Sequence, residues 1–195
     1  FELDEGAMLA AIARDKPSLT YIAYPNNPTA NLFDERVVER VVAAVGEQGG
    51  FVVFDEAYQP FSSRTWMPKL AQHDHVLVLR TLSKFGLAGV RLGYLSGAAA
   101  LIDEVDKVRP PYNVSVLTQA VAETVLRHRH VFDRQADEIL ATRSELSARL
   151  KDLRGVETFA TEANFVLARV TDAVKTNDAL KARKILVRNL HGWHP

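Results

Sequence analysis

Residues 76–97 read VLVLRTLSKFGLAGVRLGYLSG. The stretch opens as an unbroken apolar run with no polar alternation, the pattern of a strand in a parallel or mixed sheet covered on both faces. It then places Lys84 between Ser83 and Phe85, and a second cation, Arg91, follows seven residues later behind the turn Gly86–Gly89. A lysine at the mouth of a buried strand, with a glycine-containing turn and an arginine close behind, is an arrangement that needs a chemical reason.

Working outward, the same pattern recurs. GGFVVFDE (49–56) is a continuous apolar strand ending in two carboxylates, and SLTYIAY (18–24) is a β-branched and aromatic strand stopped by Pro25. VRLGYLSG (90–97) predicts a further strand. Between them, DEGAMLAAIARD (4–15) predicts a helix whose acidic start and basic close suit the helix dipole. DERVVERVVAAVG (34–46) predicts another, with Asp34 as N-cap and Gly46 as stop. Strands alternating with amphipathic helices indicate an α/β fold, a mostly parallel sheet with helices on both faces.

The character changes at RPPYNVS (109–115), an extended connector because each proline biases its predecessor away from helix. Residues 116 to about 152 predict a long helix broken near RHRH (127–130). Beyond Gly155, VETF, NFVLARV and ILVRNL predict strands, with TDAVKTNDALKAR as a helix between the last two. The expected organisation is part of a large α/β domain over 1–113, connecting helices over 114–152, and an incomplete small α+β domain over 153–195. The chain starts without an initiator methionine, within a helix, and stops just past a predicted strand, so both ends read as cut.

The 195 residues are 47% hydrophobic, enough for a sizeable core, and carry 24 basic and 24 acidic side chains. Zero net charge gives no electrostatic reason to expect nucleic acid or an anionic membrane as partner. No apolar run reaches the ~18 residues of a bilayer span, and FELDEGAMLA is not a signal peptide. The absence of cysteine excludes a disulfide framework and thiol nucleophiles, and fits a reducing, cytoplasmic location.

Ligands of open α/β sheets collect at the carboxyl ends of the strands, and three such ends carry polar clusters here: YPNNPT (24–29), DEAY (55–58) and TLSK (81–84). Singly, each has an ordinary structural explanation: Asn-Pro is a common turn, Asp55 caps the next segment, and a Ser-Lys pair says almost nothing. Together and in this order they meet the demands of pyridoxal phosphate chemistry. That chemistry needs a lysine to bond the cofactor's aldehyde and shuttle a proton, and Lys84 is the candidate. A free lysine titrates near ~10.4, so the site must desolvate it or set it near positive charge, a demand that the apolar strand and Arg91 suit. The pyridine nitrogen needs a buried carboxylate, Asp55. The ring hydroxyl needs donors, Asn27 and Tyr58. The phosphate needs hydroxyls and a guanidinium, Thr81, Ser83 and Arg91.

The ordered set NNPT, DEAY, TLSK and GLAGVRLGY resembles the fold-type I aminotransferases that use pyridoxal 5'-phosphate. Asn27 to Asp55 spans 28 residues and Asp55 to Lys84 spans 29, as in that family. LRTLSKFGLAGVRLGY, RPPYNVS, EANFVLARV and ILVR are most similar to the histidinol-phosphate aminotransferase family. The resemblance implies that Lys84, Asp55 and Tyr58 are catalytic, and that Asn27, Thr81, Ser83 and Arg91 complete the cofactor site. Asn27 and Arg188 would contact substrate, with a surface ion pair as the alternative for Arg188. It implies histidinol phosphate and glutamate/2-oxoglutarate as substrates and a homodimer whose interface builds the site. It also places a ring-stacking aromatic before Phe1 and a second substrate arginine after Pro195, so the chain by itself is not expected to complete a transamination cycle. Aromatic aminotransferases, threonine-phosphate decarboxylases and aminotransferase-like sensor domains of transcription regulators share the frame and stay open as alternatives.

Two positions depart from the pattern. Ala30 stands where the family has glycine, and would be strained if the position required positive φ. Arg91 follows the lysine by seven residues where many relatives have eight, and the intact GLAG predicts a tighter turn that still brings it to the phosphate. The pairs His73/His75 and His128/His130 are spaced i, i+2, which on a helix do not share a face, so no metal is expected. Glu56 is expected to be a packing and hydrogen-bonding neighbour of Asp55, not a second acid.

Overall fold

The computed structural model describes residues 1–192. Helix α1 (Glu5–Asp15) starts where the Asp4 carboxylate accepts from the Ala7 N–H, and α2 (Glu35–Glu47) starts where Asp34 accepts from Arg36 and Val37. Each cap satisfies N–H groups that the first helical turn leaves without intrahelical partners. The strands are β1 (Leu19–Ala23), β2 (Phe51–Asp55), β3 (Val76–Thr81) and β4 (Gly93–Ser96). They form one sheet in the order β1-β2-β3-β4, the first three parallel and β4 antiparallel to β3. The sheet is therefore mostly parallel, as the apolar runs predict.

Alternation along the strands sorts the side chains onto two faces. Ile22, Tyr24, Val52, Phe54, Val76 and Val78 point to the helix side and pack with Val38, Val41, Val42 and Val45 of α2 and Ile12 of α1. Phe54 stacks on Trp66 with ring centroids 4.2 Å apart. Full burial of each of these side chains contributes ~1.5–3 kcal/mol, so this layer is the main source of stability. The opposite face departs from expectation. Leu19, Tyr21, Phe51 and Leu79 keep 47%, 64%, 37% and 36% of their surface exposed. The apolar runs predict cover on both faces, and on this one it is partial: Val53 and Leu77 are buried at its middle, while α3 (Ala99–Val108) buries none of its residues.

Three further readings are corrected. Gly46 does not stop α2, which runs on to Glu47. A Cβ at position 46 would lie 2.7 Å from Nε2 of the His75 ring, which in turn bonds the Val42 carbonyl at 3.1 Å, so the glycine is there for close approach. The strand predicted over 90–97 is shorter, because Val90 closes a 3-10 turn and Arg91 is left-handed. ILVRNL forms no strand and is irregular. α3 was not anticipated, and neither were the 3-10 turns after β2 and β3.

The long helix breaks at His128, inside RHRH, into α4 (Val116–Arg127) and α5 (Arg129–Lys151). Then β5 (Val156–Thr158) pairs antiparallel with β6 (Ala168–Val170), followed by α6 (Ala173–Ala182). Arg143 of α5 donates to the carbonyls of Phe61 and Ala163, tying the turn after β2 to the segment before β6. The Glu162 N–H donates to Ala30 O at 2.7 Å, and its carboxylate accepts from Ser63 N–H. Among the described residues no helix is long and apolar enough to cross a membrane.

Candidate active site

The carboxyl ends of β1, β2 and β3 meet around a cavity of about 220 Å3 lined by Ala23, Pro25, Asn27, Asp55, Tyr58 and Lys84, with Ala57 beside them. Four of the sequence-predicted residues thus come together from three separate loops. The Asn27 amide donates to the Tyr58 hydroxyl at 2.9 Å, so a loop after β1 and a turn after β2 are bonded directly. The Lys84 ammonium sits 5.3 Å from the centre of the Tyr58 ring, a cation–π distance. Asp55 Oδ1 accepts from Ala57 N–H at 3.0 Å, which leaves its second oxygen without a hydrogen bond to the chain among the described residues.

The remaining candidates are elsewhere. The Thr81 hydroxyl accepts from Ser83 N–H and donates to the Leu92 carbonyl, so it shapes the turn that carries Lys84. Arg91 is exposed at φ 55°, and its guanidinium returns to the carbonyl of Ala88. Thr81, Ser83 and Arg91 do not line the cavity. Neither does Arg188, exposed on the irregular stretch after α6. Lys84 is also exposed, so this chain supplies little of the desolvation that the sequence reading assigned to its strand.

Sequence reasoning singled out no role for Phe165, whose ring meets Tyr58 edge-on at 5.3 Å. The tetrad NNPT is held by its own side chains: Asn26 donates to Thr29, and Thr29 to Asn31. Ala30 beside it has φ 66° and is fully buried, so the strain expected of an alanine at a glycine position is present. Both X–Pro bonds of the segment, Tyr24–Pro25 and Asn27–Pro28, are cis.

Behind this wall, on the helix side, lies a buried polar cluster. The Glu56 carboxylate, with its side chain fully buried, accepts from Trp66 N–H at 2.6 Å, Thr65 Oγ1 at 2.8 Å and Arg80 Nε at 2.9 Å. Glu56 is thus hydrogen-bonded, but to Trp66, Thr65 and Arg80 and not to Asp55. Burial opposes the charge on Arg80, but bonds to Tyr94 and Glu56, with the charge of Glu56, outweigh it and hold the guanidinium above its ordinary value. Removing one member would leave an unpaired buried charge, which costs ~3–5 kcal/mol.

A wider cleft of about 760 Å3 opens at the start of α2, among Glu35, Arg36, Glu39, Arg64 and Glu162. Its charges are largely consumed in pairs, Arg64–Glu35 at 2.9 Å and Lys69–Glu35 at 2.5 Å, which hold Glu35 below the usual carboxylate range. The convergence of unlike reactive groups is at the smaller cavity. The i, i+2 spacing does not keep the histidines of each pair apart: His73 packs against Trp66 and His75, and the rings of His128 and His130 meet edge-on.

Comparison with known proteins agrees with this architecture. Residues 1–192 match the family "Aminotransferase class I and II". The chain is 60% identical over its whole length to a histidinol-phosphate aminotransferase of Methylibium petroleiphilum, and 57% identical to one of Polaromonas naphthalenivorans, covering 53% of each. It thus spans about half the length of the curated relatives it matches. Among solved structures, the histidinol-phosphate aminotransferase of Clostridium acetobutylicum superposes with a TM-score of 0.82 at 19% identity, over 98% of this chain and 59% of that one. The Sinorhizobium meliloti enzyme, solved in complex with pyridoxal-5'-phosphate, gives 0.79 at 27% identity, over 95% and 52%. The fold is that of the fold-type I aminotransferases. With 192 of its 195 residues matched, this chain belongs to the class I and II aminotransferases.

Proposed function

We propose that the chain carries the cofactor-holding wall of a histidinol-phosphate aminotransferase, a pyridoxal-phosphate enzyme of histidine biosynthesis that exchanges an amino group between histidinol phosphate and glutamate/2-oxoglutarate. The observation that carries this reading is the meeting of Lys84, Asp55 and the bonded Asn27–Tyr58 pair at one cavity. The names of the relatives at 57–60% identity support it. The donor set fits the ring end of the cofactor: an amine for the aldehyde carbon, a carboxylate with a spare oxygen for the pyridine nitrogen, and an amide–phenol pair for the ring hydroxyl. When bound, the cofactor supplies an electrophilic carbon and a sink for the electrons of the substrate's α-carbon.

In this reading Lys84 Nζ would hold the cofactor through its aldehyde carbon and would serve as the general base and acid for the substrate's α-proton. Asp55 keeps the ring nitrogen protonated by its charge. Asn27 and Tyr58 orient the ring. The 2.9 Å bond between them keeps the two donors in fixed register before any ligand arrives. Thr81, Ser83 and Arg91 would hold the phosphate, and Arg188 would contact the substrate's anionic end. We assign a cytoplasmic homodimer to the complete enzyme. Borohydride reduction of the full-length protein, followed by peptide mapping, tests the reading. Label is expected on the peptide containing Lys84. Label on another lysine, or none with cofactor present, would sink it.

A further inference from the structure

We infer that Glu56 and Arg80 are positioning residues, a buried clamp that sets the distance between Asp55 and the Lys84 turn from the face opposite the cavity. The inference rests on the reading of the cavity given above.

Strand alternation is what makes such a clamp possible. Phe54 is registered with Val78 and Asp55 with Leu79, so Glu56 and Arg80 are the next registered pair. Asp55 points to the cavity, and its neighbour Glu56 therefore points to the helix side. Arg80 stands one residue before Thr81 and four before Lys84, and it too points away from the cavity. The hydrogen bond from Arg80 Nε to Glu56 Oε2 at 2.9 Å, with Nη2 of the same guanidinium in ion-pair contact with that oxygen at 2.9 Å, thus joins β2 and β3 at the level where each delivers its cavity residue. The backbone ladder reaches the same level, since Glu56 N–H donates to Leu79 O at 2.9 Å.

The clamp is anchored on a third side. Glu56 also accepts from Trp66 N–H, and Arg80 Nη2 donates to Thr65 Oγ1 at 2.8 Å. Trp66 is 1% exposed and stacked on Phe54, so the anchor belongs to the rigid core. On the far side, Arg80 Nη1 reaches the Tyr94 hydroxyl of β4 at 3.4 Å, so three strands converge on one guanidinium. The planar fork of arginine, unlike a lysine ammonium, resists rotation once several bonds are made. By contrast, the side chains lining the cavity share one hydrogen bond among themselves in the described residues, Asn27 to Tyr58. Alignment of Asp55 with Lys84 therefore depends on contacts the ligand never touches.

The test uses the full-length holoenzyme with the pair Glu56→Gln/Arg80→Met. This removes both charges together and leaves an amide oxygen for Trp66 N–H, so no buried charge is stranded. The donor half-reaction is expected to slow by at least ~10-fold, since a misplacement of about 1 Å costs on the order of 10²-fold. KM for the donor stays within about two-fold. The pH midpoint of the cofactor's absorbance band is expected to move toward that of Asp55→Asn. In an Asp55→Asn background the same pair should add less than about two-fold, because the two act through one interaction. Equal loss in both backgrounds, or an unmoved midpoint, would make the clamp merely structural and overturn the inference. Should the double variant fail to fold, Arg80→Lys keeps the charge and must still shift the midpoint in the same direction; an unshifted midpoint there overturns it equally. Absence of borohydride label on Lys84 in the unsubstituted protein would instead overturn the reading of the cavity, and the clamp with it.

Discussion

Replacing Ala30 by glycine sets two effects of similar size against each other. The residue has φ 66°, a conformation that costs an L-residue with a Cβ ~1–2 kcal/mol, and glycine removes that cost. Its methyl group, however, is fully buried, and deleting one buried methyl costs about 0.8 kcal/mol. Glycine also gives the unfolded chain more freedom, worth a further ~0.4–1 kcal/mol. Relief and loss nearly cancel, so Ala30→Gly should change stability by less than ~1 kcal/mol in either direction. The backbone bonds of the loop, Ala30 N–H to Asn26 O and Glu162 N–H to Ala30 O, are untouched by the change. Ala30→Val keeps the unfavourable φ and adds two methyl-sized groups to a filled site, so it should destabilise by ~1–3 kcal/mol from overpacking alone. Urea denaturation of the three proteins, read as midpoint shifts at constant m, measures both values. A glycine variant more stable by over ~1 kcal/mol would show that the methyl contributes no packing. One less stable by as much would show that position 30 is not left-handed.

Two further outcomes rest on named contacts. Asp55→Asn should lower the rate of the donor half-reaction by ~10²-fold or more while weakening cofactor binding far less. Asparagine Oδ1 can still accept from Ala57 N–H and preserve the turn, whereas the charge at the ring nitrogen is lost. Rapid-mixing kinetics alongside a cofactor titration separates the two, and a near-normal half-reaction would leave Asp55 a turn residue only. Gly50→Ala places a Cβ 2.4 Å from the Pro17 carbonyl and 3.0 Å from Val45 Cγ1. The first neighbour is backbone and cannot swing aside, so a loss of ~1–3 kcal/mol is expected in thermal unfolding. An unchanged Tm would refute the close approach of the two segments.

The order of β1 to β3 with α1 and α2, and the strand ends that carry chemistry, were legible in the sequence, and the reason is local. An unbroken run such as VLVL can be satisfied only inside a sheet, Asp34 before an amphipathic segment caps it wherever that segment lies, and Pro25 stops a strand in any context. Asp55 ends a strand, and Asn27, Tyr58 and Lys84 follow one within four residues, so knowing the strands was enough to bring the four to one end of the sheet. Residues beyond a tight turn were harder to read. Arg91 lies only seven residues from Lys84, yet its direction depends on a left-handed backbone angle and on a bond to Ala88 O, which motif spacing does not encode.

Other features existed only once distant segments had met. Gly46 looks like a helix stop in sequence, but His75, from the other side of β2, is what requires it. ILVRNL has the composition of a strand and forms none, because β-propensity expresses the fit to a neighbouring strand more than a preference of the backbone. Glu56 and Arg80 are ordinary charged residues among 24 acidic and 24 basic ones, and only the parallel register of β2 on β3 makes them a pair. The amino-acid sequence by itself determined which residues stand at the strand ends, since strand periodicity and chain breakers act over a few residues. The tertiary structure alone decided which of those residues face the cavity together and what holds them there, since register, burial and close approach are properties of segments far apart in the chain.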